Sequence, residues 1–245
     1  MKNYRLELSY DGTRYRGWQK LGDSENTIQN RVETVLGKLL GGETELTASG
    51  RTDAGVHARC QVCSFKTDSN MAAEDILDGL RQYLPKDIGA LSLTEADERF
   101  HARYNCREKT YLYRVWNSDA PNVFEKNFVY FFPQKLDTDK MREAAALLEG
   151  EHDFSAFTSA KHMKKSAVRN ISGITIESAG DEIDIYVTAD GFLWNMVRII
   201  TGTLLEVGTG KRRPEDVSVL LEGGVRSDAG FTVPACGLIL FDTKY

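Results

Sequence analysis

Between Thr47 and Val62 the chain reads TASGRTDAGVHARCQV, with Arg51 and Asp53 two positions apart and glycines at 50 and 55. Glycine reaches positive φ at little steric cost and lets another backbone come close. The hexapeptide GRTDAG is therefore expected to be a loop that presents Arg51 and Asp53 at a sheet edge. A nearby cation lowers the pKa of a carboxylate. One carboxylate beside one guanidinium thus suits a nucleophile or base that must stay ionised among phosphates. An aspartate in a turn also commonly caps a neighbouring N–H, and the residues alone leave both readings open.

Other chemistries lack their residues. Thr47-Ala48-Ser49-Gly50-Arg51 does not supply the G-x-S-x-G of a serine hydrolase elbow. Glycoside hydrolysis needs two carboxylates at a set separation, and this stretch offers one. Neither a P-loop lysine motif nor a G-x-G-x-x-G dinucleotide fingerprint is present. Cys60 and Cys63 form a C-x-x-C, but ARCQVCSFKT alternates like a strand. Residues three apart on a strand face opposite sides. The four histidines (57, 101, 152, 162) fall at no metal-ligand spacing. No metal is expected.

The net charge of −5 speaks against a general polyanion binder, although nucleic acids are bound by local patches rather than by net charge. Two such patches stand out. From Arg99 to Arg114 lie Arg99, Arg103, Arg107, Lys109 and Arg114 against the single acid Glu108; from Lys161 to Arg169 lie Lys161, Lys164, Lys165 and Arg169 against none. The first is interleaved with Phe100, His101, Tyr104, Tyr111 and Tyr113, flat rings that can stack on bases. The N-terminal MKNYRLELSYDG has no apolar core or small-residue cleavage site, and no apolar run reaches the roughly 18 residues of a membrane helix. A cytoplasmic protein without a membrane span is expected.

The elements that must position these residues follow from periodicity. Strands are expected at 3–10, 45–49, 59–67, 88–94, 110–116 and 238–241, with a hairpin over 170–177 and 183–189. Helices are expected at 27–40, with Asn26 and Gln29 as a capping pair, and at 71–84, 138–148, 195–207 and 214–221. Strands and helices mix without strict alternation, which makes the class α+β. SYDGTRYRGW (9–18) and TADGFLWNMV (188–197) echo each other, each placing Asp-Gly after a strand and an aromatic three residues on. This fits two related halves facing each other across a cleft, 1–105 and 106–245.

SGRTDAGVHA (49–58) resembles the signature of the TruA family of tRNA pseudouridine synthases. YDGTRYRGWQ (10–19), RFHARYNC (99–106), KTYLYRVWN (109–117), GEHDFSAF (150–157), GFLWNMVRIITGTLLEVGTGK (191–211) and ACGLILFDTKY (235–245) resemble that family's segments, in its order. The resemblance makes Asp53 the catalytic aspartate, Tyr111 the tyrosine against the target uracil and Arg198 the basic residue paired with the aspartate. Arg51 would organise the loop and open the RNA stack. FTVPACGLIL departs mildly, carrying Val233 and Ile239 where the family more often has alanine and an aromatic. The implied reaction breaks the uridine N1–C1′ bond, rotates the uracil and rejoins it through C5, without cofactor or metal. The implied substrate is tRNA, at positions 38–40 of the anticodon arm, and the implied architecture is an RRM-like, mainly antiparallel sheet in each half of a homodimer.

Overall fold

The structure, a computed structural model, describes residues 1–161 and 166–245. His162, Lys164 and Lys165, singled out above, lie outside the described residues. The chain divides into two compact units, Met1–Arg107 with Ile239–Tyr245, and Glu108–Leu238. Each mixes helices with a mainly antiparallel sheet, in agreement with the α+β class.

In the first unit β1 (Lys2–Tyr10) buries Tyr4, Leu6, Leu8 and Tyr10 in strict alternation, the period of a pleated strand with one face inward. It pairs antiparallel with β3 (His57–Thr67) on one side and with β4 (Ile88–Ala96) on the other. The far edge of β3 is shared. Its Cys63–Ser64 end takes β2 (Thr47–Ala48), antiparallel, and its His57–Ala58 end takes Ile239–Leu240 of β10 (Leu238–Lys244), parallel. The strand expected over 45–49 thus shortens to two residues: the Leu46 N–H goes to the Glu33 carboxylate, and the chain turns into the GRTDAG loop once the Ser49 N–H has donated to the Val62 carbonyl.

Helix α1 (Ile28–Leu40) buries Ile28, Val32 and Leu36, and α2 (Ala73–Tyr83) buries Ile76 and Leu80. Their packing is close: a Cβ at Gly79 would stand 2.7 Å from Leu39 Cδ2. The expected capping pair is corrected. Thr27 caps α1, its hydroxyl accepting from the Asn30 N–H, and Gly41 closes it in the left-handed conformation. Asn26 instead donates to the Arg14 carbonyl, and Gln29 donates to Glu33 and to the Leu46 carbonyl. Both polar side chains tie neighbouring loops to the helix rather than completing its first turn.

In the second unit β5 (Glu108–Trp116) pairs antiparallel with β9 (Glu182–Ala189), and β9 with β8 (Val168–Ala179), the expected hairpin, turning at Gly180 with φ 62°. The short strands β6 (Tyr130–Phe131) and β7 (Gly150–Asp153) border β5 and β8. Helix α3 (Thr138–Ala146) is capped by Asp137 and buries Met141, Ala144 and Ala145. Helix α4 (Met196–Gly208) is buried at every residue except Arg198, and α5 covers only Asp216–Val219.

Candidate active site

The GRTDAG loop is fixed from the side of β1. The Trp18 N–H donates to the Thr52 carbonyl at 2.9 Å, and the Val56 N–H closes back on the Asp53 carbonyl at 3.1 Å. The segment 11–18 lies directly against the loop. A Cβ on Gly12 would come 2.0 Å from the Val56 oxygen; one on Gly17, whose φ is +99°, would come 2.8 Å from the Thr52 oxygen and 3.1 Å from the Asp53 carbonyl carbon. Only glycine lets two backbones meet this closely. Segment 11–18 is itself tied down, the Tyr15 hydroxyl donating to Asp87 at 2.6 Å and the Asp11 N–H to the Asp87 carbonyl at 3.0 Å.

His57, buried at the loop's exit, receives the Gly12 N–H on Nδ1 at 3.0 Å. The same nitrogen lies 3.2 Å from Asp11 Oδ1. His57 thus ties the Asp11-Gly12 turn to the exit of the loop. A second set of bonds runs through β3. Gln61 Oε1 accepts from the Ser49 hydroxyl at 2.6 Å, its Nε2 donates to the Gly50 carbonyl at 2.8 Å and to the Tyr10 hydroxyl at 3.4 Å, and Tyr10 shares a 2.8 Å bond with the Thr52 hydroxyl. Within this frame Asp53 is half-buried and Arg51 exposed.

Tyr111 and Arg198 belong to the second unit. Tyr111 lies opposite Val187 in the β5–β9 ladder, is 7% exposed, and meets Phe192 edge to face at a centroid distance of 5.1 Å. Arg198 is the half-exposed residue of an otherwise buried helix. Its Nε donates to the Val233 carbonyl at 2.7 Å and its Nη1 to Asn195 Oδ1 at 2.8 Å. Asn195 caps the helix start at φ 61° and donates its amide to the Ser159 hydroxyl. The Val233 carbonyl is brought there by another glycine contact: a Cβ on Gly202 would stand 1.8 Å from the Phe231 oxygen, and one on Gly230 2.5 Å from the Thr203 nitrogen. Val233 is fully buried, which accounts for an aliphatic residue at that position. Thus Arg51 and Asp53 share one loop of the first unit, and Tyr111 and Arg198 have separate supports in the second.

The basic run 99–114 divides between the two units, and its members are engaged differently. Arg99 and Arg103 are exposed beside Tyr104, which is 79% exposed and stacked on His101 at 4.1 Å. Arg114 is committed elsewhere, donating at 2.6 Å each to Glu182 and Glu125. Arg169, in the second run, is folded onto the Ser166 and Val168 carbonyls. Among the described residues no three His, Cys, Asp or Glu side chains gather as a metal-binding group. Cys63 is buried and Cys60 half-buried, and burial pushes both thiols up.

Comparison with known proteins decides what this loop belongs to. A family model described as tRNA pseudouridine synthase matches residues 8–105 and 144–245. The chain belongs to the tRNA pseudouridine synthase family. A tRNA pseudouridine synthase A of Bacillus sp. (strain KSM-64) is 48% identical over 240 residues, 98% of each chain, and a tRNA pseudouridine synthase A 2 of Clostridium perfringens is 46% identical over 245 residues, the whole of both. A solved archaeal box H/ACA sRNP Nop10-Cbf5 complex aligns over 95% of this chain and 58% of its own at a TM-score of 0.36 and 12% identity, too distant to bear on the fold. The synthase is an isomerase that converts uridine to pseudouridine in tRNA. The TruA-type reading drawn from the segment motifs is thereby borne out.

The sequence alone did not single out Gly17 or Gln61. Gly17 has only its place in YDGTRYRGWQ to mark it. For Gln61 the signal is a lone amide among Cys60, Val62, Cys63 and Phe65 in a strand, since a polar side chain at an interior position must find partners.

Proposed function

We propose that the synthase acts on the anticodon arm of tRNA, at positions 38–40, with the Asp53 carboxylate as its reacting group and with no cofactor or metal. Asp53 attacks the uridine at C1′ or C6, or removes a proton from the sugar; in each case the N1–C1′ bond breaks, C5 bonds to C1′, and the C5 hydrogen leaves. Tyr111 lies against the target uracil, Arg198 is the basic partner of the carboxylate, and Arg51 organises the loop and helps to open the RNA stack. Taking a base out of its stack costs a few kcal/mol, least in loops and at stem ends, which favours the anticodon arm.

The observation that carries this reading is the double fixation of the Asp53 loop, by the Trp18 N–H on the Thr52 carbonyl and by the backbone contact at Gly17. A loop that only needed to bury a turn would not require two glycine-mediated backbone contacts around a half-exposed carboxylate. We also propose that each unit is an RRM-like half. The first runs β–α–β–β–α–β with sheet order β4–β1–β3–β2, and the second repeats β5–α3–β8–β9–α4 with β9 between β5 and β8, as β3 lies between β1 and β2. A cytoplasmic homodimer completes the proposal. Among the described residues no helix is long and apolar enough to cross a membrane.

The test is Asp53→Asn, which keeps the side chain's shape and removes its charge. Loss of a general-base role alone costs roughly 10²–10⁴ in rate, so tritium release from 5-[³H]uridine-labelled tRNA should fall at least that far. Filter binding should show tRNA affinity retained or tightened, because a carboxylate no longer faces phosphates. Near-normal release would remove Asp53 from the chemistry. No release by the wild-type protein from any tRNA would favour a non-catalytic RNA-binding module.

A further inference from the structure

The Gln61 amide is fully buried, at 0% exposure, on a strand whose neighbouring positions Val62, Cys63 and Phe65 are also buried. An amide this deep costs free energy unless its groups are paired. Its partners are not scattered. They are Ser49 and Gly50 on the entry side of the loop and, through Tyr10, Thr52 within it, so they bracket Arg51 and Asp53. The Gly50 carbonyl can only accept, which fixes the amide nitrogen toward it and the amide oxygen toward the Ser49 hydroxyl. One amide hydrogen goes to the Gly50 carbonyl and the other, in the longer bond, to the Tyr10 hydroxyl, which in turn shares a bond with Thr52 Oγ1. The cluster is a single connected chain, Gln61 to Tyr10 to Thr52, with a branch that holds Ser49 and Gly50.

We propose that Gln61 is a positioning residue for the isomerisation, holding Asp53 at its reacting place through Ser49, Gly50 and the Tyr10–Thr52 bond. The inference rests on the reading of Asp53 as the reacting carboxylate. Tyr10 is the last residue of β1 and Gln61 lies on β3, so the loop is referenced to two central strands rather than to its own turn. Without the amide, the Ser49 hydroxyl and Gly50 carbonyl lose their buried partner and the loop shifts toward water. A misplacement of about 1 Å costs on the order of 10²-fold in rate.

Gln61→Met preserves length and volume and removes every hydrogen bond of the amide. Single-turnover tritium release at saturating tRNA should fall about 10- to 100-fold, while the tRNA dissociation constant from filter binding stays within about twofold. Tyr10→Phe should lower the rate less, and adding it to Gln61→Met should cause little further loss, since both act through one chain of bonds. A Gln61→Met protein that is less resistant to urea yet turns over at the wild-type rate per folded molecule would reduce the amide to a structural role and overturn the proposal. So would full additivity of the two substitutions. If Gln61→Met does not fold, Ser49→Ala and Tyr10→Phe decide: wild-type rates in both overturn it, and reduced rates with unchanged tRNA affinity support it. Asp53→Asn measured alongside separates the levels. Normal turnover there removes the Asp53 reading and the proposal with it, whereas a dead Asp53→Asn beside a fully active Gln61→Met defeats the positioning role alone.

Discussion

Gly17→Ala is the smallest change that reaches the Asp53 loop without touching it chemically. Three backbone atoms stand in the way of the new methyl: the Thr52 oxygen at 2.8 Å, the Asp53 carbonyl carbon at 3.1 Å and the Ala54 nitrogen at 3.2 Å. None can rotate aside as a side-chain tip would. The φ of +99° adds backbone strain of about 1–3 kcal/mol for a residue with a Cβ, and overpacking costs a further ~1–3 kcal/mol. If the loop held still, the sum would be roughly 2–6 kcal/mol, against a whole-protein stability of about 5–15 kcal/mol. The loop will instead yield by several tenths of an ångström, trading stability for position. The expected result is a urea-unfolding loss of about 2–3 kcal/mol together with a single-turnover tritium-release rate reduced about 10- to 100-fold. The tRNA affinity should stay within a few-fold, because the substitution adds and removes no charge. Gly22→Ala, where a Cβ meets nothing within 4 Å, is the matched control and should be silent. A Gly17→Ala protein with wild-type rate and stability would refute the claim that this backbone contact sets the loop.

Asp184 Oδ1 is buried without a hydrogen bond, 3.9 Å from Arg114 Nε, and the carboxyl pKa is pushed up to about 6, first by burial and then by Glu182. Its folded pKa exceeds its unfolded one, so its favourable contribution is complete below about pH 4 and is lost as pH rises through about 6. Asp184→Asn should therefore stabilise the protein by about 1–3 kcal/mol at pH 8 and not at pH 4, measured by urea unfolding; a pH-independent difference would contradict this. The log of tRNA affinity should fall linearly with log salt, and Arg99→Ala with Arg103→Ala should flatten the slope by roughly 0.7–0.9 per lost contact. An unchanged slope would make both arginines merely solvated. Excess chelator and full reduction should leave turnover unaltered, and a loss restored by zinc would overturn the reading of Cys60 and Cys63.

Much of the architecture was legible because burial writes its period into the chain. The alternation of Tyr4, Leu6, Leu8 and Tyr10 and the 170–189 hairpin needed no partner to be recognised. What periodicity does not carry is who the partner is. Nothing local in Ile239 and Leu240 says that they lie parallel to His57 and Ala58. Where several polar residues adjoin a helix start, the cap goes to the one whose oxygen meets the N3 amide; here that is Thr27, while Asn26 and Gln29 are drawn to other carbonyls. A run of basic residues likewise reports charge but not its neutralisation: Arg114 belongs to the run, yet Glu125 and Glu182 lie against it. At the site, loop and carboxylate were visible in six residues, whereas the contacts that fix them come from residues 10–18 and 61, brought there by strand pairing.

The sharing of the β3 edge also bears on how this enzyme is made. The His57–Ala58 end of that edge, just past the Asp53 loop, is covered by residues 239–240. At about 5–20 residues per second on a ribosome, the covering strand follows roughly 10–40 s after the edge it covers. Throughout that interval the nascent first unit carries an open strand edge, the feature that invites wrong pairing. The edge beside the Asp53 loop is thus among the last parts of the unit to close, and a nascent chain that stops within residues 108–238 leaves it open.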